Sequence, residues 1–507
     1  MQIAVHLDRA RLFRWHLALI ETLSAAGHMV SVRFRDTSDP LPTSLTAILD
    51  FDRVRNRSSS DRFSTHLKPS AFAPIAVDSG IEPAVTLDLS SAANIQRLPG
   101  RVLRPAYDGS PKDYALFHAL LDRRAPRLTI WDSAASEPIA IGTPALEQPS
   151  RLANSLDQAT SRLVEGLARY VDELDEDDVV TALPAVVHPT TADRSILNSA
   201  GGFLSARAIR KFGRARDKLA GSGPRWHVAW RAIDATTSIQ PGHLNLADFS
   251  VLTDDGYRFY ADPFLFEHDG QCHLFVEELP NATGTGVISH CVRDRSGAFS
   301  RPAPVLKTQF HLSYPYVFKH DGEIWMMPEQ SAAGGLDLYR CVNFPDTWVH
   351  ARRLIDGRIH DATLFEHDGR LWIAAGCEAY QSSTWDGLSL FWATSLLGPW
   401  QPHARNPVII DARSARPAGP LWRQGEALYR PAQDCSGGYG GALTLKRITT
   451  LTPDAFTEET AGSLSFPDAQ NLLGPHTIGR AGGIEVIDLY ARPSAIRAAF
   501  RGALRTR

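Results

Sequence analysis

Residues 262–278 read DPFLFEHDGQCHLFVEE, residues 314–330 read YPYVFKHDGEIWMMPEQ, and residues 361–377 read DATLFEHDGRLWIAAGC. Each is an apolar run, a His-Asp-Gly tip and a second apolar run. Asp-Gly between runs rich in aromatic and β-branched residues is a strong hairpin signal. Gly270, Gly322 and Gly369 can take the positive φ such a turn requires. Two weaker copies follow, LWRQGEALYRP with its turn at Gly425 and HTIGRAGGIEVIDLY with its turn near Gly483. The five turn glycines lie 52, 47, 56 and 58 residues apart. That period suits one four-stranded blade per repeat and predicts a five-bladed β-propeller rather than a β-sandwich. The runs GLDLYRCV, LSLFWATS and GALTLKRI supply outer strands, and WHVAWRAI from Trp226 closes the ring.

Residues 1–200 have a different style. MQIAVHL reads as a strand, ARLFRWHLALIETLSAAG as an amphipathic helix ending on Gly27, and HMVSVRFR as the next strand. LTAILDFD and AVTLDLSS are expected to add two more strands. The alternation predicts an open, mostly parallel α/β sheet. SRLANSLDQATSRLVEGLARYVDELDEDD is a long helix that closes this domain. The expected organisation is therefore an α/β domain over 1–200, a basic linker helix over 201–224 carrying ARAIRKFGRARDKLAGSG, and a propeller over 225–495. The basic run reads more readily as a solvated face than as a phosphate site.

Composition narrows the partners. The chain has 507 residues and a net charge of −3, so nothing electrostatic argues for nucleic acid or an anionic membrane. No apolar stretch has the length of a membrane span, and the N-terminus lacks a signal-peptide pattern. The five cysteines (Cys272, Cys291, Cys341, Cys377 and Cys435) lack CxxC spacing. They read as reduced thiols in a cytoplasmic protein. There is no GxGxxG after the first strand and no GxxxxGK[ST], and no cofactor or metal is expected.

In a propeller the first strand of each blade lines the channel. Those strands begin at Tyr260-Ala261-Asp262-Pro263, Ser313-Tyr314-Pro315, Ile359-His360-Asp361, Ala418-Gly419-Pro420 and Gly474-Pro475-His476. Ionisable side chains there are costly as packing and useful facing a solvated funnel. Asp262 and Asp361 are the leading catalytic candidates. Glu277 and Glu329, at the ends of second strands, could supply another acid, and alternation lets only one of Glu277 and Glu278 face a given side. Tyr260, Tyr314, His360, Arg430, Gln433, Asp434 and His476 are candidate substrate contacts, since their donors and acceptors suit sugar hydroxyls. An inter-blade salt bridge between Arg430 and Asp434 is the structural alternative. His268, His320 and His367 sit at hairpin tips and read as turn chemistry.

The Tyr260-Ala261-Asp262-Pro263 and His360-Asp361-Ala362-Thr363-Leu364-Phe365 motifs resemble first- and third-blade motifs of the five-bladed propeller glycosidases, the arabinanase, β-xylosidase and invertase group. The resemblance implies that Asp262 acts as base or nucleophile and that Asp361 orients substrate and tunes the acid. His476 lies where related arabinanases place a histidine near a channel cation, but a lone histidine reads more readily as a hydrogen-bonding structural residue. The ADPFLF, SYPYVF…MPE and RPAQD…YGGAL segments resemble more closely the N-terminal propeller of glucosamine inositolphosphorylceramide transferases. Residues 101–132 faintly resemble the formyltransferase fold, without that family's Asn-His-Asp pattern: His118 and Asp132 do not match its spacing. One departure stands out. The glycosidase acid sits in a Glu-Gly-Pro segment, and here Ala418 precedes Gly419-Pro420. An alanine cannot donate the proton that glycoside cleavage needs. The resemblance implies a carbohydrate-active protein, a sugar transferase or transferase-associated enzyme of glycan or glycolipid biosynthesis, with its site in the propeller channel and a carbohydrate, nucleotide-sugar or glycolipid as ligand. The alternatives are a glycosidase with a displaced acid and a non-catalytic sugar-binding propeller.

Overall fold

The computed structural model describes residues 1–36, 41–55, 61–75, 82–90, 98–174, 201–205, 223–234, 239–295, 297–467 and 472–496. The chain divides into two compact units. One comprises Met1–Phe212 with Ala379–Ser383, the other Gly213–Glu378 with Thr384–Arg507. Most of the basic linker expected over 201–224 lies outside the described residues. No described helix is long and apolar enough to cross a membrane.

The first unit is a six-stranded mixed sheet in the order Met29–Arg35, Gln2–Asp8, Val85–Asp88, Arg101–Tyr107, Leu128–Asp132, Ile139–Gly142. The first four strands are parallel and the last two pairings antiparallel. Helix Arg14–Ala25 follows the first strand and stops before Gly27, whose φ of 91° suits glycine. One expectation fails. LTAILDFD lies in a helix, Thr43–Arg55, rather than a strand. Leu45, Ile48, Leu49 and Asp52 are its buried positions, an i, i+3, i+4, i+7 stripe that only a 3.6-residue period brings to one face. The long helix forms over Leu152–Asp172. Asp132, one of the unmatched formyltransferase-region residues, takes the Arg101 guanidinium at 2.7–3.0 Å and the Tyr170 hydroxyl at 2.6 Å.

The second unit is the five-bladed propeller. Blades one to four start at Arg258–His268, Ser313–His320, Ile359–His367 and Trp422–Gln424, and each continues outward through successive antiparallel strands, with Gly242–His243 added in parallel at the edge of blade four. Blade five starts at Ile478–Ala481 and Ile484–Ala491. Its third strand is Arg225–Ala232, from the other end of the unit, with Ser250–Val251 outside it. The WHVAWRAI segment thus closes the ring as a third strand, one place further in than expected. The three His-Asp-Gly tips form two-residue turns with positive φ at Asp269, Asp321 and Asp368 and at the glycines that follow. Two consecutive positive φ values mark type I′, whose twist matches paired strands. In each tip the histidine Nε2 lies 3.4 Å from the next aspartate, so these residues belong to the turns.

Candidate active site in the propeller channel

The first strand of each of blades one to three carries a bulge near its start. Pairing is interrupted between Ala261 and Phe264, between Ser313 and Tyr316, and between His360 and Thr363. The bulged residues Asp262, Tyr314 and Asp361 have φ of 46°, 46° and 50°. Left-handed backbone at a non-glycine residue costs about 1–3 kcal/mol and persists where the surroundings enforce it. Here the bulge re-aims three polar side chains toward the channel, a recurrent use of bulges beside functional sites. In blades four and five the matching segments carry Gly419 and Gly474, at φ of 125° and 119°.

Asp262 is held on all sides. Its Oδ1 accepts the Thr477 hydroxyl at 3.0 Å and lies 3.2 Å from His476 Nε2, while Oδ2 accepts the Tyr314 backbone N–H at 3.1 Å. Its own N–H donates to Asp488 Oδ2 at 3.0 Å. Asp488 also accepts the backbone N–H groups of His476 and Thr477, and its Oδ2 lies 2.5 Å from His476 Nδ1. His476 is therefore a buried imidazole between two carboxylates. Burial alone would lower its pKa, but Asp488 and Asp262 outweigh that and push it up to about 10. Asp262, although buried, is held below the usual carboxylate range by His476 and Thr477.

A second cluster joins blades two, three and four. Arg416 donates from Nε to Asp361 Oδ2 at 2.5 Å and from a terminal nitrogen to Oδ1 at 3.3 Å, and it lies 3.6 Å from Glu329. Gln433 donates to Asp361 Oδ2 at 2.8 Å and to the Pro417 carbonyl. Glu329 accepts the Asp361 backbone N–H at 3.2 Å and lies 3.0 Å from His360 Nδ1. Two carboxylates thus share one guanidinium. Burial and the neighbouring Glu329 charge push Asp361 up against the pull of Arg416, while His360 and Arg416 hold Glu329 well down despite its burial. The two protons belong to the pair rather than to either residue. Tyr314 is fully buried and links the two clusters, its backbone N–H bonded to Asp262 and its side chain reaching blade three. Its hydroxyl accepts the Gly419 N–H at 2.6 Å and bonds Thr363 at 2.8 Å.

Glu277 stands next to Asp262, on the strand paired with it. Its Oε1 lies 3.1 Å from His311 Nε2, and His311 Nδ1 accepts the Gly286 N–H at 3.0 Å. The second bond assigns the ring hydrogen to Nε2, which points at Glu277. Burial pushes Glu277 up, reinforced by the Asp262 charge and opposed by His311; Glu277 in turn raises His311. The His311 side chain is 45% exposed, so this pair connects the cluster to solvent. Aromatic rings stand close by. Trp226 stacks on His476 at 4.0 Å, Tyr439 lies 5.3 Å from both His476 and Trp385, and the Arg416 guanidinium sits 5.1 Å over Tyr439.

The structure thus gathers Asp262, Glu277, Glu329, Asp361, Tyr314, His360, Gln433 and His476. Three other expected contacts land elsewhere. Arg430 is fully buried against Glu458 and the Ser414 and Ala415 carbonyls, so neither the channel nor the Asp434 salt bridge claims it. Asp434 caps Ser436 in a local turn. Tyr260 packs in an apolar cluster with Leu252 and Val276. Glu278 faces away from Glu277, bonded to Arg258 and to the Ser289 hydroxyl. Ala418 is fully buried. Sequence reading missed Arg416, His311, Tyr439, Trp226 and Asp488. Arg416 lies two residues before Ala418, in a segment read only for its missing acid.

Among the described residues one trio, Asp262, His476 and Asp488, has the spacing to close on a metal ion. Both imidazole nitrogens already face carboxylates, so the histidine itself supplies the positive charge there.

Fold and cluster define a five-bladed β-propeller with a carboxylate-rich polar channel. Residues 245–470 match the family described as glucosamine inositolphosphorylceramide transferase 1, N-terminal. Similarity extends to glucosamine inositolphosphorylceramide transferase 1 of Arabidopsis thaliana, 34% identical over 205 residues, 40% of this chain and 27% of the relative. The protein of the same name from Oryza sativa subsp. japonica is 33% identical over 259 residues, 50% of this chain and 33% of the relative. The chain thus spans about a quarter to a third of these relatives. Among solved structures, a family 117 glycoside hydrolase of Zobellia galactanivorans is similar at 11% identity and a TM-score of 0.33, covering 54% of this chain and 92% of that one. An α-L-arabinanase of Cellvibrio cellulosa is similar at 14% identity and a TM-score of 0.31, covering 41% and 78%.

Proposed function

We propose that the propeller is carbohydrate-active and that its channel cleaves glycosidic bonds, with Asp262 as the ionised carboxylate and Glu277 as the proton donor. The observation that carries this reading is the placement of two buried carboxyl groups on paired strands with different partners: Asp262 is bound by His476 and the Thr477 hydroxyl, while Glu277 lies against the half-exposed His311, surroundings that favour ionised Asp262 and protonated Glu277. Paired titratable groups whose surroundings drive them apart are the pattern of acid and base assignments. Glu277 with His311 would take the place of the acid missing at Ala418. Trp226 and Tyr439 would give a sugar ring apolar faces to lie on, and Gln433 and Arg416 would orient its hydroxyls.

Transfer of the glycosyl group to an acceptor other than water is the second reading. It is favoured by the similarity of residues 245–470, which contain every carboxylate of the cluster except Asp488, to a family described as the N-terminal part of a transferase.

The test is turnover of a panel of 4-nitrophenyl glycosides by the full chain, with and without an alcohol acceptor. Asp262→Asn and Glu277→Gln should each lower kcat by about 10²–10⁴-fold. Retained sugar binding with no turnover on any substrate would instead make the channel a binding site.

A further inference from the structure

The first unit includes five residues from far along the chain. Ala379–Ser383 lie between two strands of blade three, Arg370–Cys377 and Gly387–Ala393, yet they belong to the unit built from Met1–Phe212. The Gln381 amide is held there like a piece of backbone. Its oxygen accepts the Phe63 N–H at 3.1 Å, and its nitrogen donates to the Asp61 carbonyl at 2.8 Å. The Gln381 backbone N–H donates to the Ser161 hydroxyl at 3.3 Å. Tyr380 shares a hydrogen bond with the Thr22 hydroxyl at 2.8 Å, and its ring lies 5.8 Å from Phe63. The Ser383 hydroxyl donates to Glu147 at 2.8 Å, and the Ser383 carbonyl accepts from the Arg162 guanidinium at 3.1 Å. Ser383 and Arg162 are both fully buried.

Strand connections are ordinarily the least stable parts of a fold, because few contacts hold them. This one is tied down at three successive kinds of group: an amide, a phenol and a buried serine. The two residues that follow the tied segment belong to the channel cluster. The Thr384 hydroxyl accepts from Arg416 at 3.2 Å, and the Trp385 ring lies 5.3 Å from Tyr439. Arg416 is the guanidinium that Asp361 and Glu329 share, and it sits over the Tyr439 ring. Ser383 and Thr384 are joined by one rigid peptide unit, so a shift of the first is passed to the second.

We propose that the first unit sets the sugar-binding side of the channel: by fixing Gln381 and Ser383 it fixes Thr384 on Arg416 and Trp385 beside Tyr439. Gln381 is then a positioning residue that acts on a bound sugar through Trp385. The proposal rests on the reading of the channel as a carbohydrate site. Its physical basis is that a binding group works only when its own supports hold it to within a fraction of an ångström.

Fluorine NMR of the full chain labelled with 5-fluorotryptophan reads this placement without turnover. The Trp385 resonance is the one lost in Trp385→Phe. In Gln381→Ala, confirmed folded by its melting curve, that resonance should shift or broaden, while those of Trp325 and Trp348 in blade two stay in place. On any 4-nitrophenyl glycoside that the full chain turns over, KM should rise about fivefold or more with kcat changed less than about twofold, the mark of lost binding. Ser383→Ala, which removes the hydroxyl bonded to Glu147, should move the same resonance and carries the test if Gln381→Ala does not fold. An unmoved Trp385 resonance in a folded variant would overturn the inference, as would a moved resonance with KM unchanged. If no glycoside is turned over, the proposed activity fails, and the Trp385 resonance alone still decides whether the first unit places this side of the channel.

Discussion

His476 Nε2 lies 3.2 Å from Asp262 Oδ1, and the opposite nitrogen of the same ring lies against Asp488. One cation thus balances two buried carboxylates and joins the first and last blades of the ring. Because its folded pKa is raised to about 10, its stabilising charge is fully present below the unfolded value near 6.5 and is lost as pH rises toward 10. His476→Gln should destabilise the propeller by about 3–5 kcal/mol at pH 6. Denaturant unfolding at pH 6 and pH 10 should show this penalty shrinking at the higher pH. An equal penalty at both would contradict a charged imidazole.

Arg416 and Asp361 form a buried ion pair. Arg416→Met should cost about 3–5 kcal/mol, because it removes the guanidinium that buried Asp361 and Glu329 share. The double variant Arg416→Met/Asp361→Leu should recover part of that loss in the same melts. No recovery would mean that the pair is not the source of the penalty.

His311 opposes the rise in the Glu277 pKa through its Nε2–H. Removing it with His311→Ala should therefore move Glu277 further up. If Glu277 is the proton donor, activity falls as pH rises through its pKa. The basic limb of the pH–kcat profile should then shift to higher pH in this variant, whereas a shift to lower pH would exclude Glu277 as donor.

At Gly440, φ is +65° and an added Cβ would lie 2.4 Å from the Trp226 ring and 3.1 Å from His476 Cβ. Gly440→Ala should displace Tyr439 and Trp226, cost about 1–3 kcal/mol and weaken sugar binding more than Gly425→Ala, whose Cβ meets nothing within 4 Å. Equal effects on binding in a thermal-shift titration would remove the aromatic pair from the site.

Arg430 makes its ion pair with Glu458 inside blade four. Arg430→Met should lower stability while leaving sugar affinity within about twofold once folded. Gln433→Ala, which removes a donor to Asp361, should do the reverse. Affinity lost in Arg430→Met at full folding would restore Arg430 to the channel.

The propeller was legible because its signal is local. Asp269-Gly270, Asp321-Gly322 and Asp368-Gly369 set type I′ turns that depend on only two residues each. Asp262, Tyr314 and Asp361 could be placed near the channel by counting back from those turns. The helix Thr43–Arg55 was misread because a short apolar run satisfies both periods until its buried face is known.

Repeat period, turn chemistry and the alanine at 418 were properties of the chain alone, since each rests on neighbours in sequence. Tertiary structure alone decided which acids meet which cations. His476 reaches Asp262 across 214 positions, Arg416 reaches Asp361 across 55, and His311 reaches Glu277 from the loop between blades. Ring closure brings these groups together, and their separation after closure sets the charge each one carries.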